Sequence, residues 1–249
     1  MNPAMNSLLF GLALYLFNGP ALVRDNAPSY SQTYAILIKG SLAGSETVTE
    51  TPSESGRRLS ISEHDITVTD GLETKRMTFS TRMLLTTDTL EPLSYSYQYT
   101  SGGSGDSYEV TIKDAQVTRT LRRGDHTSEV TVPFPPGTVI LDFNVYHQYD
   151  YLLHKYNLKK GGRQSFSDFI PLIGSDIPIA LTFLGNSSLE LGKRSVPVKN
   201  FRIEFVGIWN GTVSTDKDGR LVRLLIPTQE LEVIRKDLLS EPSSNLPKQ

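Results

Sequence analysis

His147, Asp150 and His154 are the side chains whose types and spacing come nearest to chemistry in this sequence. On a helix turning about 100° per residue they fall within roughly 60° of one another. Imidazoles and a carboxylate at three- and four-residue offsets could converge on one metal ion or pass a proton. The same spacing fits a solvated polar face with ordinary helical side-chain contacts, and it matches no established zinc motif. A second candidate is the row Tyr95, Tyr97 and Tyr99, joined by Tyr108. Tyrosines on one face of a strand can stack on sugars or line an acyl pocket, although tyrosine is also simply favoured in strands. Tyr149 and Tyr156, on the apolar side of the same helix, complete the candidate ligand-binding set.

Other motifs fall away. Asp216-Lys217-Asp218-Gly219 begins like a calcium loop, but Pro227 or Gln229 stands where the closing acidic ligand belongs, so a tight hairpin is the better reading. Gly102-Gly103-Ser104-Gly105 is followed by Asp106 where a nucleophile elbow needs glycine. Gly192-Lys193-Arg194-Ser195 lacks the hydroxyl residue that directly follows the lysine of a phosphate loop. Asn186 and Asn210 stand in glycosylation sequons. The chain has no cysteine, which excludes disulfides, thiolate catalysis, cysteine-ligated zinc and a lipid-anchored amino-terminal cysteine. A formal charge of -2 without a long basic cluster gives no footprint for nucleic acid. No cofactor is implied.

The elements that must position these residues are one helix and many strands. The helix-period stretch runs from Ile140 to Gly162, with the helix itself expected over about 142–160. Val145, Tyr149, Leu152, Leu153 and Tyr156 form its apolar stripe, opposite His147, Asp150 and His154. Asp142 or Asn144 is placed to cap its start, and Lys159 to Gly162 to end it. Elsewhere the pattern alternates. Met77, Phe79, Thr81, Met83 and Leu85 share one strand face, and Asp70-Gly71 and Asp218-Gly219 signal hairpins. Leu59 and Ile61 alternate with serines, and the phase slips at His64-Asp65, as at a β-bulge.

Roughly ten to twelve short strands predict an antiparallel meander, and a sheet that long must curl. The fold class is therefore mainly β: a large curved antiparallel sheet or partly closed barrel with one central amphipathic helix. The expected organisation is a signal peptide over 1–21, a single β domain over 28–236 and a flexible tail over 237–249. The leader rests on the apolar run Leu8 to Phe17, broken by Asn18-Gly19-Pro20, with a small-x-small site ending at Ala21. No other stretch is long enough to cross a membrane, so the expected location is periplasmic or extracellular, with no transmembrane span once the leader is removed.

The layout resembles a group of exported bacterial β proteins of unknown function. The matching stretches are Tyr34 to Gly44, Leu90-Glu91-Pro92-Leu93-Ser94-Tyr95, the helix with Leu158-Lys159-Lys160-Gly161 and a following Phe166 strand, and Asp216 to Arg223 with Ile226-Pro227. Such families have a curved sheet similar to that of periplasmic lipoprotein carriers and lipoprotein receptors. The resemblance implies a groove for a hydrophobic ligand and carries no catalytic residues with it. The expected function is a non-enzymatic binding or scaffold module for a lipid, glycan or other amphipathic ligand. The alternative is a metal-assisted or acid-base hydrolase working from the His147/Asp150/His154 face. Nothing in the sequence speaks to oligomeric state.

Overall fold

The computed structural model describes residues 29–70, 73–100, 105–192 and 194–239. The expected leader, Gly71, most of the Gly102–Gly105 connection, Lys193 and the tail from 240 onward lie outside these residues. The chain opens with eight strands in succession: β1 (Tyr30–Ile38), β2 (Ser41–Ser53), β3 (Arg57–Asp70), β4 (Glu73–Thr86), β5 (Pro92–Tyr99), β6 (Ser107–Lys113), β7 (Gln116–Arg123) and β8 (His126–Pro133). A two-residue strand β9 (Val139–Ile140) follows, then a 3₁₀ turn over Tyr146–Gln148 that runs into helix α1 (Tyr149–His154). Six strands close the fold: β10 (Arg163–Ile170), β11 (Ser175–Leu191), β12 (Arg194–Phe205), β13 (Trp209–Thr215), β14 (Leu221–Ile226) and β15 (Leu231–Arg235).

All fifteen strands belong to one sheet, ordered β8-β7-β6-β5-β4-β3-β2-β1-β15-β14-β13-β12-β11-β10-β9. Two meanders thus run outward from a central seam in which β1 pairs with β15, Tyr34 opposite Arg235 and Ile38 opposite Leu231. The sheet curls without closing, since β8 and β9 are its two ends. Among the described residues the one parallel pair is β9 with β10, an exception to the expected antiparallel order that arises because β9 runs straight into the buried crossover. No helix among the described residues is long and apolar enough to cross a membrane.

The helix is much shorter than the expected 142–160. Asn144 takes a left-handed φ of 63°, which no helix continues through. Neither Asp142 nor Asn144 caps it: the residue before the 3₁₀ turn is Val145, and no side chain of its own segment caps the turn. The cap comes instead from Glu46 on β2, whose carboxylate accepts from the Tyr146 and His147 amides at 3.0 and 3.2 Å. At the other end the chain leaves the helix at Lys155. Tyr156 donates its hydroxyl to the Gly162 carbonyl at 2.6 Å, so it fills the core from a turn while still matching the helical stripe.

Because the sheet wraps the helix, both helix faces are buried. Val145, Tyr149, Leu152 and Leu153 join a core cluster with Ile179, Leu181, Phe201, Ile203, Leu224 and Val233 from the second meander. Full burial of a side chain such as Leu152 contributes about 1.5–3 kcal/mol. The opposite face carries Asp150 against Arg220 and Leu221 at the start of β14, and His147 and Tyr151 against β2 and β3. The inward positions of those strands are therefore polar: Glu46 and Glu50 on β2, and Ser60, Ser62 and His64 on β3. This corrects the expected bulge at His64-Asp65. β3 pairs in unbroken register with β4, the serines point inward and Leu59 and Ile61 take the opposite side. Real register shifts occur elsewhere, for example between Phe183 and Gly185.

Candidate functional site

Beneath the helix lies a buried chain of polar groups. A carboxylate can only accept, so the His147 Nδ1–H donates to Glu46 Oε1 at 2.5 Å, and Nε2 shares a hydrogen bond with the Ser60 hydroxyl at 3.2 Å. Burial opposes ionisation of Glu46, yet the His147 imidazole and the bonds it donates hold the carboxyl below its usual range. His64 stacks on Phe79 and accepts or donates to Ser62 at 2.7 Å, and burial pushes its imidazole down to about 4. One helical turn on, Glu50 takes Tyr151 Oη at 2.9 Å, Arg220 Nη2 at 2.7 Å and Arg58 Nη1 at 3.2 Å. Asp150 accepts from the Leu221 amide at 2.7 Å and from Arg220 Nη1 at 3.3 Å, and burial raises its carboxyl to about 7.

The order Ser60–His147–Glu46 is that of a nucleophile, base and orienting carboxylate. Ser60 is 1% exposed at an inward position of β3, and none of the three lines a cavity described below. The arrangement holds the helix to the sheet and offers a substrate no approach. His154 stands apart from it, exposed at the helix end, so the expected His147/Asp150/His154 set is not brought together. Among the described residues no group of three or more His, Cys, Asp or Glu side chains is placed to hold a metal ion.

The tyrosine row does converge. Tyr95 and Tyr108 both donate to Asp142 Oδ2, Tyr95 at 2.7 Å, while the Phe143 amide donates to Oδ1 at 2.9 Å. Burial nonetheless raises the Asp142 carboxyl to about 6. Tyr97 stacks face to face on Tyr108, centroids 4.7 Å apart, and on Phe79 at 5.0 Å. With His64 on the far side of Phe79 at 4.1 Å, four rings form one column across β3, β4, β5 and β6. Beside this column a cavity of about 450 Å³ opens at the end of the sheet where β5 finishes. Tyr97, Tyr99, Tyr108, Phe143, Met77 and Leu172 give it apolar walls, and Asp142, Asn144, Asp106 and Lys75 give it polar points. Of the six candidate tyrosines, three line it. Tyr95 lies beneath it, bonded to Asp142, and Tyr149 and Tyr156 belong to the core on the other meander.

A second cavity, of about 240 Å³, lies at the opposite strand ends, where β3 and β14 begin. His154 and Tyr156 are in its wall. The sequence reading missed Glu46, Glu50, Asp142 and Arg220. A signal existed for the glutamates: counting in twos from Val48 puts Glu46 and Glu50 on the same inward face.

No family model and no curated protein matches this chain. A search of solved structures gives the crystal structure of a β-barrel-like protein of a domain of unknown function, DUF1849, from Brucella abortus. It superposes with a TM-score of 0.57 over 84% of this chain and 94% of that one, at 10% sequence identity. The likeness is one of fold. It agrees with the resemblance to β-sheet proteins of unknown function.

Proposed function

We propose that this chain is an exported, non-enzymatic binding protein whose aromatic cavity holds part of an amphipathic ligand, a lipid or a glycan. The observation that carries the reading is the 450 Å³ cavity walled by Tyr97, Tyr99, Tyr108 and Phe143. That volume and that mixture of apolar wall with a few convergent polar groups is typical of small-molecule sites. The ligand sits at the mouth of the sheet, because the space between helix and sheet is filled by Tyr146, Tyr149, Leu152 and Leu153. The hydroxyl of Tyr108 is occupied by Asp142, so its ring contributes surface, while Asp142 and Asn144 mark the polar end. The apolar run Leu8 to Phe17 supports export.

The test is a titration of the delipidated full-length chain with a fluorescent fatty acid and, separately, with a panel of oligosaccharides. Saturable binding of one class, lost in Tyr99→Ala, supports the reading. No uptake of either class, together with no small molecule co-purifying by mass spectrometry, would overturn it.

A further inference from the structure

The smaller cavity carries a different chemistry. Arg58 and Arg220 converge on a single carboxylate oxygen, Glu50 Oε2, at 3.2 and 2.7 Å. Glu50 cannot neutralise both guanidinium groups, and it also accepts from Tyr151. The second carboxylate near Arg220 is Asp150, which takes Arg220 Nη1 at 3.3 Å beside the Leu221 amide, so Arg220 is balanced and Arg58 is left to share Glu50. Asp218, at the rim, is engaged by Lys217 at 2.8 Å. Lys199 also lines the cavity, and its ammonium has only a long contact, 3.5 Å, to the Lys217 carbonyl. Three cations, Arg58, Arg220 and Lys199, therefore border the space against two carboxylates, Glu50 and Asp150, which leaves positive charge in excess on the side of Arg58 and Lys199. Both arginines are set into the wall, with side chains 28% and 21% exposed, and Arg220 is held further by the Tyr30 ring 4.2 Å away. A fork fixed in this way loses little freedom when it binds, which suits it to an oxyanion. His154 adds a fourth nitrogen donor, and Leu158 and Phe201 give an apolar side.

We propose that this cavity is an anion site, separate from the aromatic cavity, which takes a phosphate group carried on a short apolar substituent. Arg58, Arg220 and Lys199 hold the phosphate oxygens, and the substituent lies against Leu158 and Phe201. At about 240 Å³ the space is below the range of drug-sized pockets, which fits a small headgroup.

Isothermal titration calorimetry of the full-length chain with hexyl phosphate, and separately with inorganic phosphate, tests this. Saturable binding is expected, weakened about tenfold or more in Arg58→Gln and in Lys199→Gln, and unchanged in Tyr99→Ala. Preference for hexyl phosphate assigns the site to a phosphate monoester, and equal binding assigns it to free phosphate. Lys199→Gln breaks no ion pair, so it reads the site even if Arg58→Gln is poorly folded. Absence of saturable binding to both probes overturns the proposal, as does binding indifferent to both substitutions or lost equally in Tyr99→Ala.

Discussion

Glu46 and His147 meet twice: the imidazole Nδ1 lies 2.5 Å from Glu46 Oε1, and the His147 amide lies 3.2 Å from Oε2. The two residues are 101 positions apart in sequence, so a strand caps the first turn of a helix and orients its histidine in one contact. Short helices are marginal alone, and this one is held by what surrounds it.

Glu46→Gln keeps the shape and removes the charge. The variant should lose about 2 kcal/mol, the worth of a charge-assisted hydrogen bond in a buried place. The midpoint of urea unfolding should fall accordingly. An unchanged midpoint would show that the cap is dispensable.

Arg220 neutralises Glu50 and Asp150 together. Arg220→Met leaves Asp150 buried without its cation and Glu50 with Arg58 alone, and should cost about 3–5 kcal/mol. Arg220→Lys should recover only part of it, since an ammonium cannot reproduce the two-armed contact. In a double-mutant cycle with Glu50→Gln, the two losses should be strongly non-additive. Simple additivity would mean the pair does not interact.

The pH dependence of stability has an unusual component at Asp142. An ordinary aspartate titrates near 3.8, whereas burial raises this one to about 6. Between these values the folded chain binds more protons than the unfolded chain, so this group's contribution falls as pH rises. A rise from 3.8 to about 6 is on the order of 3 kcal/mol. His64 works in the opposite direction in an overlapping window: pushed from 6.5 down to about 4, it contributes stability that is lost as pH falls through that range. Comparing Asp142→Asn with the wild type isolates the first effect. The variant's stability relative to wild type should climb between pH 4 and pH 7, and a difference independent of pH would contradict the assignment.

Gly44 is a position of close approach. A Cβ built there would stand 2.0 Å from the Asp65 carbonyl oxygen on β3. Gly44→Ala must push β2 from β3 beside Ile66, and should lower stability by about 1–3 kcal/mol or more. Thermal unfolding followed by circular dichroism would show it. A wild-type melting temperature would mean the two strands have slack.

Much of the architecture was legible because strands alternate against a buried face. Met77 to Leu85 and Tyr95 to Tyr99 fall where their spacing put them. The helix was overextended because Tyr156 keeps helical phase from a turn, and because helical period outweighed the readiness of an asparagine such as Asn144 to adopt a left-handed conformation. The polar face of the helix misled for a deeper reason. Patterning assumes that polar means wet, but a helix enclosed by its sheet has no outer side. Glu46, Ser60 and His147 are polar because they face one another. Such pairings join segments about a hundred residues apart, and single-sequence periodicity is blind to them.

The seam between β1 and β15 also sets the order of events during folding. The strand nearest the amino terminus waits for residues 231–235 before its second flank is paired. A ribosome releases β15 after the other fourteen described strands, so the first meander emerges before the partner of its seam strand. Joining ends so distant makes for slow assembly. Cutting the chain just after β14 should leave a species with an open edge on β1, ready to recruit another strand in place of its own.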